Sequence, residues 1–231
     1  MTLEEFKQRN TVNFINTKLL EQAFIHRSFI NENPRTGLVH NERLEFLGDA
    51  VLELIVTEYL YSAYPHQNEG DLTAYRSALV NAITLGEVAS DLGFNDMMKL
   101  SKGEAKDVHR ARSSILADAY EAFIGALYID QGYQEAKEFI TRTLVGKTEE
   151  IVRKGLYKDA KSYVQEKSQE LYSVTPNYKV LSEEGPDHDK LFLIGIYFAD
   201  EKVAEGKGKS KQEAETSAAR AALVAKGWVT Q

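Results

Sequence analysis

From residue 3 to about 153, apolar residues recur with the three-to-four spacing that builds one buried face of a helix. The spacing predicts helices over 19–30, 43–61, 75–92, 115–129 and 134–152. Polar or turn-forming breaks separate them, at Asn33-Pro34-Arg35-Thr36-Gly37, over 65–70, at Leu92-Gly93 and over 101–107. No convincing two-residue alternation occurs in this part, so the first 153 residues read as all-α.

The pattern changes after Gly155. Residues 158–171 form a polar amphipathic helix candidate, and 177–184 and 190–199 are rich in β-branched and aromatic side chains. The stretch 191–198 is the strongest strand signal in the chain, and a short strand over 202–206 follows. An alanine-rich helix over 210–226 then opens on Ser-Lys-Gln-Glu, a capping box with Ser210 as N-cap and Glu213 three residues on. The expected division is an all-α domain over 1–153, a linker at 154–157 and a small α+β domain of order α-β-β-β-α over 158–231.

The acidic residues change this picture from fold to chemistry. Glu42, Glu45 and Asp49 stand at i, i+3 and i+7 of one predicted helix and share a face, with Leu44, Leu47, Val51 and Leu52 largely on the other side. Asp118 and Glu121 form a second i, i+3 pair, set among Ile115, Leu116, Ala119, Phe123 and Ile124. Acids embedded in an apolar helix are costly to bury unpaired. Three readings are open at this point. The acids could be solvated surface. They could belong to a carboxylate-bridged di-iron bundle, but that needs Glu-x-x-His pairs and the chain has none. They could hold Mg2+ or Mn2+ through oxygen ligands, a site suited to phosphoryl chemistry.

Composition narrows the classes. The 231 residues are 43% hydrophobic and 27% charged, as in a globular protein. There is no cysteine, which excludes disulfides and thiolate metal sites. The first residues carry no apolar signal core and no apolar run is long enough to span a bilayer, so a cytoplasmic protein without a membrane partner is expected. The net charge of −7 is unlike that of most nucleic-acid binders. From Tyr157 onward, however, the chain has 11 Lys and Arg against 12 Asp and Glu, so the acidic excess lies in the helical part.

The run Asn-Glu-Arg-Leu-Glu-Phe-Leu-Gly-Asp-Ala-Val-Leu at 41–52 closely resembles the signature of bacterial ribonuclease III. The resemblance continues through Glu-Gly-Asp-Leu-Thr-Ala-Tyr-Arg-Ser-Ala-Leu-Val at 69–80 and Ile-Leu-Ala-Asp-Ala-Tyr-Glu-Ala-Phe-Ile-Gly-Ala at 115–126. The C-terminal segment resembles the double-stranded-RNA-binding domain that follows the nuclease domain in that family. The resemblance implies Mg2+-dependent hydrolysis of both strands of duplex RNA, with Mn2+ as a substitute and no organic cofactor. It implies 5′-phosphate and 3′-hydroxyl ends with short 3′ overhangs, and roles in ribosomal RNA, tRNA and mRNA processing. By position, Glu45, Asp118 and Glu121 match the metal ligands, and Asp49 and Glu121 the pair most directly tied to hydrolysis. Glu42 and Glu69 match the outer acids. Phe46 matches a residue of the family's homodimer interface. His26 matches a family histidine and reads as structural, and Ser113 stands where many relatives have Glu.

Duplex RNA is read through its shape, 2′-hydroxyls and phosphates. The resemblance places Gln165 and His188 at minor grooves, and Lys207, Lys209 and Lys211 on phosphates at a helix N-terminus. Gln212 and Glu215 replace basic residues of many relatives, and Asp187 and Asp189 flank His188. Two rivals are a non-catalytic RNA-binding relative, which would have lost acids, and a small-molecule phosphohydrolase, which would have no use for the appended domain.

Overall fold

A computed structural model describes residues 1–106, 110–153, 160–186 and 190–228, without the side chains of residues 110 and 111. It divides into two compact units, Met1–Ile151 and Val152–Gln231. The expected linker at 154–157 lies outside the described residues.

The described part of the first unit is helical: α1 (Leu3–Asn10), α2 (Thr17–Ala23), α3 (Arg27–Glu32), α4 (Glu42–Ala63), α5 (Glu69–Leu79), α6 (Ala82–Asp91), α7 (Arg110–Gln131), α8 (Tyr133–Thr143) and the start of α9 (Thr148–Arg153), whose last two residues fall past the division. Three predicted helices are each split in two. The 19–30 run breaks because Phe24 and His26 exchange backbone hydrogen bonds with Lys99, at 2.8 and 3.1 Å, in a short parallel bridge. The 75–92 run breaks at Asn81, whose Oδ1 accepts from the backbone N–H groups of Ile83 and Thr84 and starts α6 afresh. The 134–152 run is interrupted by a 3-10 turn at Val145–Lys147. In each case the apolar stripe continues across the break, so periodicity alone does not register it.

Helix α7 runs through the core, and Ala119, Tyr120, Ala122, Phe123, Ile124 and Ala126 are fully buried. The Phe123 ring lies 4.8 Å from that of Phe139 and within 5.8 Å of those of Phe6, Phe14 and Phe94. The buried Tyr120 hydroxyl donates to Thr143 Oγ1 (2.8 Å), since Thr143 itself donates to the Phe139 carbonyl. Burial raises the pKa of this phenol well above the ordinary value.

The second unit contains α10 (Ala160–Tyr172), β1 (Asn177–Glu184), β2 (Leu191–Phe198), β3 (Glu201–Gly208) and α11 (Lys211–Ala225). The strands form one antiparallel sheet in the order β1-β2-β3, with a bulge on β1 between Val180 and Ser182. Val164, Ile196, Phe198, Ala218, Ala219, Ala222 and Leu223 make its core. Small alanines let α11 lie close on the sheet. Ser210 caps α11 by accepting from Glu213 N–H (3.1 Å). Glu213, however, reaches past Ser210 to the backbone N–H of Lys209 (3.0 Å), so only half of the predicted capping box forms.

Candidate active site

Helices α4 and α7 cross backbone against backbone. A Cβ on Gly48 would lie 1.7 Å from the carbonyl oxygen of Glu121, and one on Gly125 would lie 2.1 Å from that of Leu44. Only glycine fits at such an approach. Gly48 lies three residues after Glu45, and Gly125 four residues after Glu121, so the crossing brings the acidic turns of the two helices together.

Glu45, Asp118 and Glu121 each present a carboxylate oxygen here, all within 4.8 Å of one another and each half-buried. Burial, reinforced by Asp118, Glu42 and Asp49, pushes the Glu45 carboxyl up to about 7. Burial, with Asp49, Asp118, Glu45 and Glu53 nearby, pushes Glu121 up to about 8. Burial also raises Asp118, against a small opposing influence of His26. No Lys or Arg among the described residues forms an ion pair with these three acids. The cluster thus concentrates hard oxygen donors whose ionised forms are disfavoured for want of a counter-charge, and a divalent cation such as Mg2+ would supply that charge and match the donor type.

The start of α4 is fixed by Asn41, which is buried. Its side chain does not cap the helix; it donates to the Ala23 carbonyl (3.1 Å), while its backbone N–H donates to Ile25 (2.9 Å). His26 caps α3, its Nδ1 accepting from Ser28 N–H and lying 2.8 Å from Ser28 Oγ. Burial holds the imidazole below its ordinary value despite the acids Glu104, Asp118 and Glu42 around it.

The remaining predicted acids do not join the three-carboxylate group. Asp49 lies one turn beyond Glu45, exposed, with its charge felt by both Glu45 and Glu121. Glu42 is engaged by Arg27 (3.2 Å) and His40 (3.7 Å). Glu69 is exposed in the first turn of α5 and lines a cavity of about 490 Å³ between α4 and α5, with Leu60, Tyr61 and Arg76. Phe46 is 83% exposed, so it is not a core residue of the single chain. In the second unit Gln165, Lys207, Lys209 and Lys211 are all exposed, and Lys211 is the first residue of α11. His188, Asp187 and Asp189 lie outside the described residues.

Residues 16–148 match the family model for a ribonuclease-III-like domain, and 160–224 that for a double-stranded RNA binding motif. The chain is 42% identical over 223 residues to Ribonuclease 3 of Borreliella afzelii, covering 96% of this chain and 91% of that one. It is 46% identical over 211 residues to Ribonuclease 3 of Carboxydothermus hydrogenoformans, covering 91% and 90%. The chain belongs to the ribonuclease III family. It is therefore an endoribonuclease with an appended double-stranded-RNA-binding domain. The solved nuclease domain of ribonuclease III from Campylobacter jejuni superposes with a TM-score of 0.56 at 39% identity, covering 62% of this chain and 95% of that one.

In this ribonuclease III, Ser113 packs on α6: its Oγ lies 2.4 Å from where a Gly86 Cβ would stand, and it donates to the Ala82 carbonyl (3.3 Å). Sequence reasoning passed over Gly48, Gly125 and Asn41. The glycines do carry a signal, since glycine inside an apolar helix costs about 1 kcal/mol against alanine and marks a close approach.

Proposed function

We propose that this ribonuclease III is a divalent-metal-dependent enzyme that hydrolyses both strands of duplex RNA. It leaves 5′-phosphate and 3′-hydroxyl ends with short 3′ overhangs and acts in ribosomal RNA, tRNA and mRNA processing in the cytoplasm. The observation that carries the reading is the group Glu45, Asp118 and Glu121, three half-buried carboxylates with two pKa values near neutrality and no basic partner among the described residues. These three would hold the ion. Mg2+ there would supply charge neutralisation at the phosphate and a water of lowered pKa.

The chain's own groups do the remainder. The Gly48–Gly125 crossing sets the spacing of the three oxygens. Asp49, exposed beside them, is placed to orient water or accept its proton at the phosphate. Glu42 and Glu69 act from outside as accessory acids, and the Arg27 pair fixes Glu42. Gln165 and His188 read minor grooves, and Lys207, Lys209 and Lys211 meet phosphates. The linker at 154–157 joins a nuclease over 1–153 to an RNA-binding domain over 158–231.

The working form is a homodimer. Phe46, Leu54 and Tyr61 are 83%, 58% and 75% exposed on one side of α4, an apolar stripe suited to a second copy. The nuclease domain of ribonuclease III from Campylobacter jejuni has a region involved in dimer formation, which supports the same arrangement here.

The test is cleavage of long duplex RNA in Mg2+, in Mn2+ and in EDTA, with the product ends mapped. Cleavage undiminished in EDTA would exclude the metal, and blunt products or 5′-hydroxyl ends would exclude the proposed ends.

A further inference from the structure

Glu183, near the end of β1, holds two lysines from different segments. Its Oε1 lies 3.3 Å from the Nζ of Lys211, and its Oε2 lies 3.8 Å from the Nζ of Lys190. Lys211 opens α11, and Lys190 directly precedes β2. Glu183 pairs across the strands with Phe192, and the Lys211 ammonium stands 5.6 Å from the centroid of that ring. On its other side Phe192 pairs with Gly208, where a Cβ would meet the backbone N of Ala214 at 2.4 Å. The helix N-terminus is thus pressed onto this corner of the sheet, and Lys211 is seated between a carboxylate and a ring while 59% of its side chain remains exposed.

We propose that Glu183 is a positioning residue for duplex binding: it clamps Lys190 and Lys211 into one cationic pair, which makes Lys190 a further phosphate contact. This rests on reading the α11 N-terminus as a phosphate-contacting surface. Two effects of the carboxylate oppose each other. Its own charge repels phosphate, but at about 7 Å in water that lowers affinity by less than about threefold, and salt reduces it further. Ordering a lysine only on binding costs roughly two- to tenfold for each side chain. Glu183 orders two in advance and screens their mutual repulsion, so positioning outweighs repulsion.

The experiment is a filter-binding titration of the full chain against a long RNA duplex in EDTA, over a series of salt concentrations. Glu183→Gln should weaken binding about fivefold with an unchanged melting temperature. Lys190→Ala should weaken binding on its own and flatten the log–log salt slope by about 0.7–0.9. When Lys190→Ala and Lys211→Ala are both present, adding Glu183→Gln should change affinity by less than twofold. Equal or tighter binding by Glu183→Gln would overturn the clamp. So would a fivefold loss that persists without either lysine, which marks a general structural role. Unchanged binding and slope in Lys211→Ala would instead overturn the underlying reading of the α11 N-terminus, and the clamp with it.

Discussion

Gly48 of α4 rests against the carbonyl oxygen of Glu121 on α7, so closely that a Cβ there would lie 1.7 Å from that oxygen. The residue that fixes the distance between the helices thereby fixes the distance between Glu45 and Glu121. Packing and the spacing of the proposed metal-binding acids are set by the same contact.

Gly48→Ala should therefore damage both. The methyl group meets backbone, which has no flexible side chain to yield, so the helices must separate. Overpacking of this kind costs about 1–3 kcal/mol or more. Displacing catalytic groups by about 1 Å costs on the order of 100-fold in rate. Thermal unfolding and a cleavage time course check the two effects. A variant with wild-type melting and wild-type cleavage would show that the crossing does not hold the site.

Glu121→Gln should separate binding from cutting. Glutamine keeps the shape and nearly the helix propensity of glutamate, but it lacks the charge a hard cation requires. Duplex affinity should hold or improve, because a negative charge near phosphate is removed. Cleavage in Mg2+ should fall at least about 100-fold, given that metal stabilisation of charge contributes several kcal/mol. A gel shift in Ca2+ beside cleavage in Mg2+ measures both. Near-wild-type cleavage would remove Glu121 from the proposed site.

The metal-free protein should lose stability as pH rises through neutrality. Glu45 and Glu121 titrate at about 7 and 8 when folded, against 4.5 as the ordinary value. The folded state therefore keeps protons that the unfolded chain has released. Their contribution is complete below about 4.5 and disappears as pH rises through 7 to 8. His26, with its pKa lowered, acts in the opposite sense near 6.5, so the difference from Glu121→Gln isolates the effect. In EDTA, the wild-type melting temperature should fall relative to that variant between pH 5 and 8.5. Mg2+ should raise it more at pH 8 than at pH 5.5, because binding competes with protons. A wild-type–variant difference that does not change with pH would rule out the raised Glu121 pKa.

Phe46→Ala should weaken self-association. A large apolar side chain 83% exposed in the single chain gains most from burial against a second copy. Loss of such an anchor raises a dissociation constant by roughly tenfold or more. Sedimentation equilibrium should show a species of twice the 26.0 kDa chain mass for the wild type and a shift toward monomer for the variant. A wild-type protein that sediments as a monomer at micromolar concentration would contradict the dimer.

The order of elements was legible in the sequence because it depends on local periodicity. The three-to-four spacing of apolar residues marked the long helices α4 and α7, and β-branched and aromatic density marked β2. The acids of each helix were legible for the same reason, as were Ser210 at the start of α11 and the change of pattern after Gly155. What the chain alone did not reveal depends on contacts between segments distant in sequence. The predicted helix over 19–30 is split by backbone bonds to Lys99, about 70 residues away, and no local pattern carries that information. By helical spacing alone Glu42, Glu45 and Asp49 were equivalent along one stripe, and only the family resemblance set Glu45 apart. The α4–α7 crossing selected Glu45 to join Asp118 and Glu121, left Asp49 exposed and gave Glu42 to Arg27. Phe46 drew its interface reading from the resemblance alone, and only the folded chain shows that it is exposed in a single copy. Local pattern thus supplied the residue types and the helical faces that carry them. Which acids meet is a matter of three-dimensional packing, because the backbone contacts at Gly48 and Gly125, not local propensity, set how closely and at what height the two helices cross.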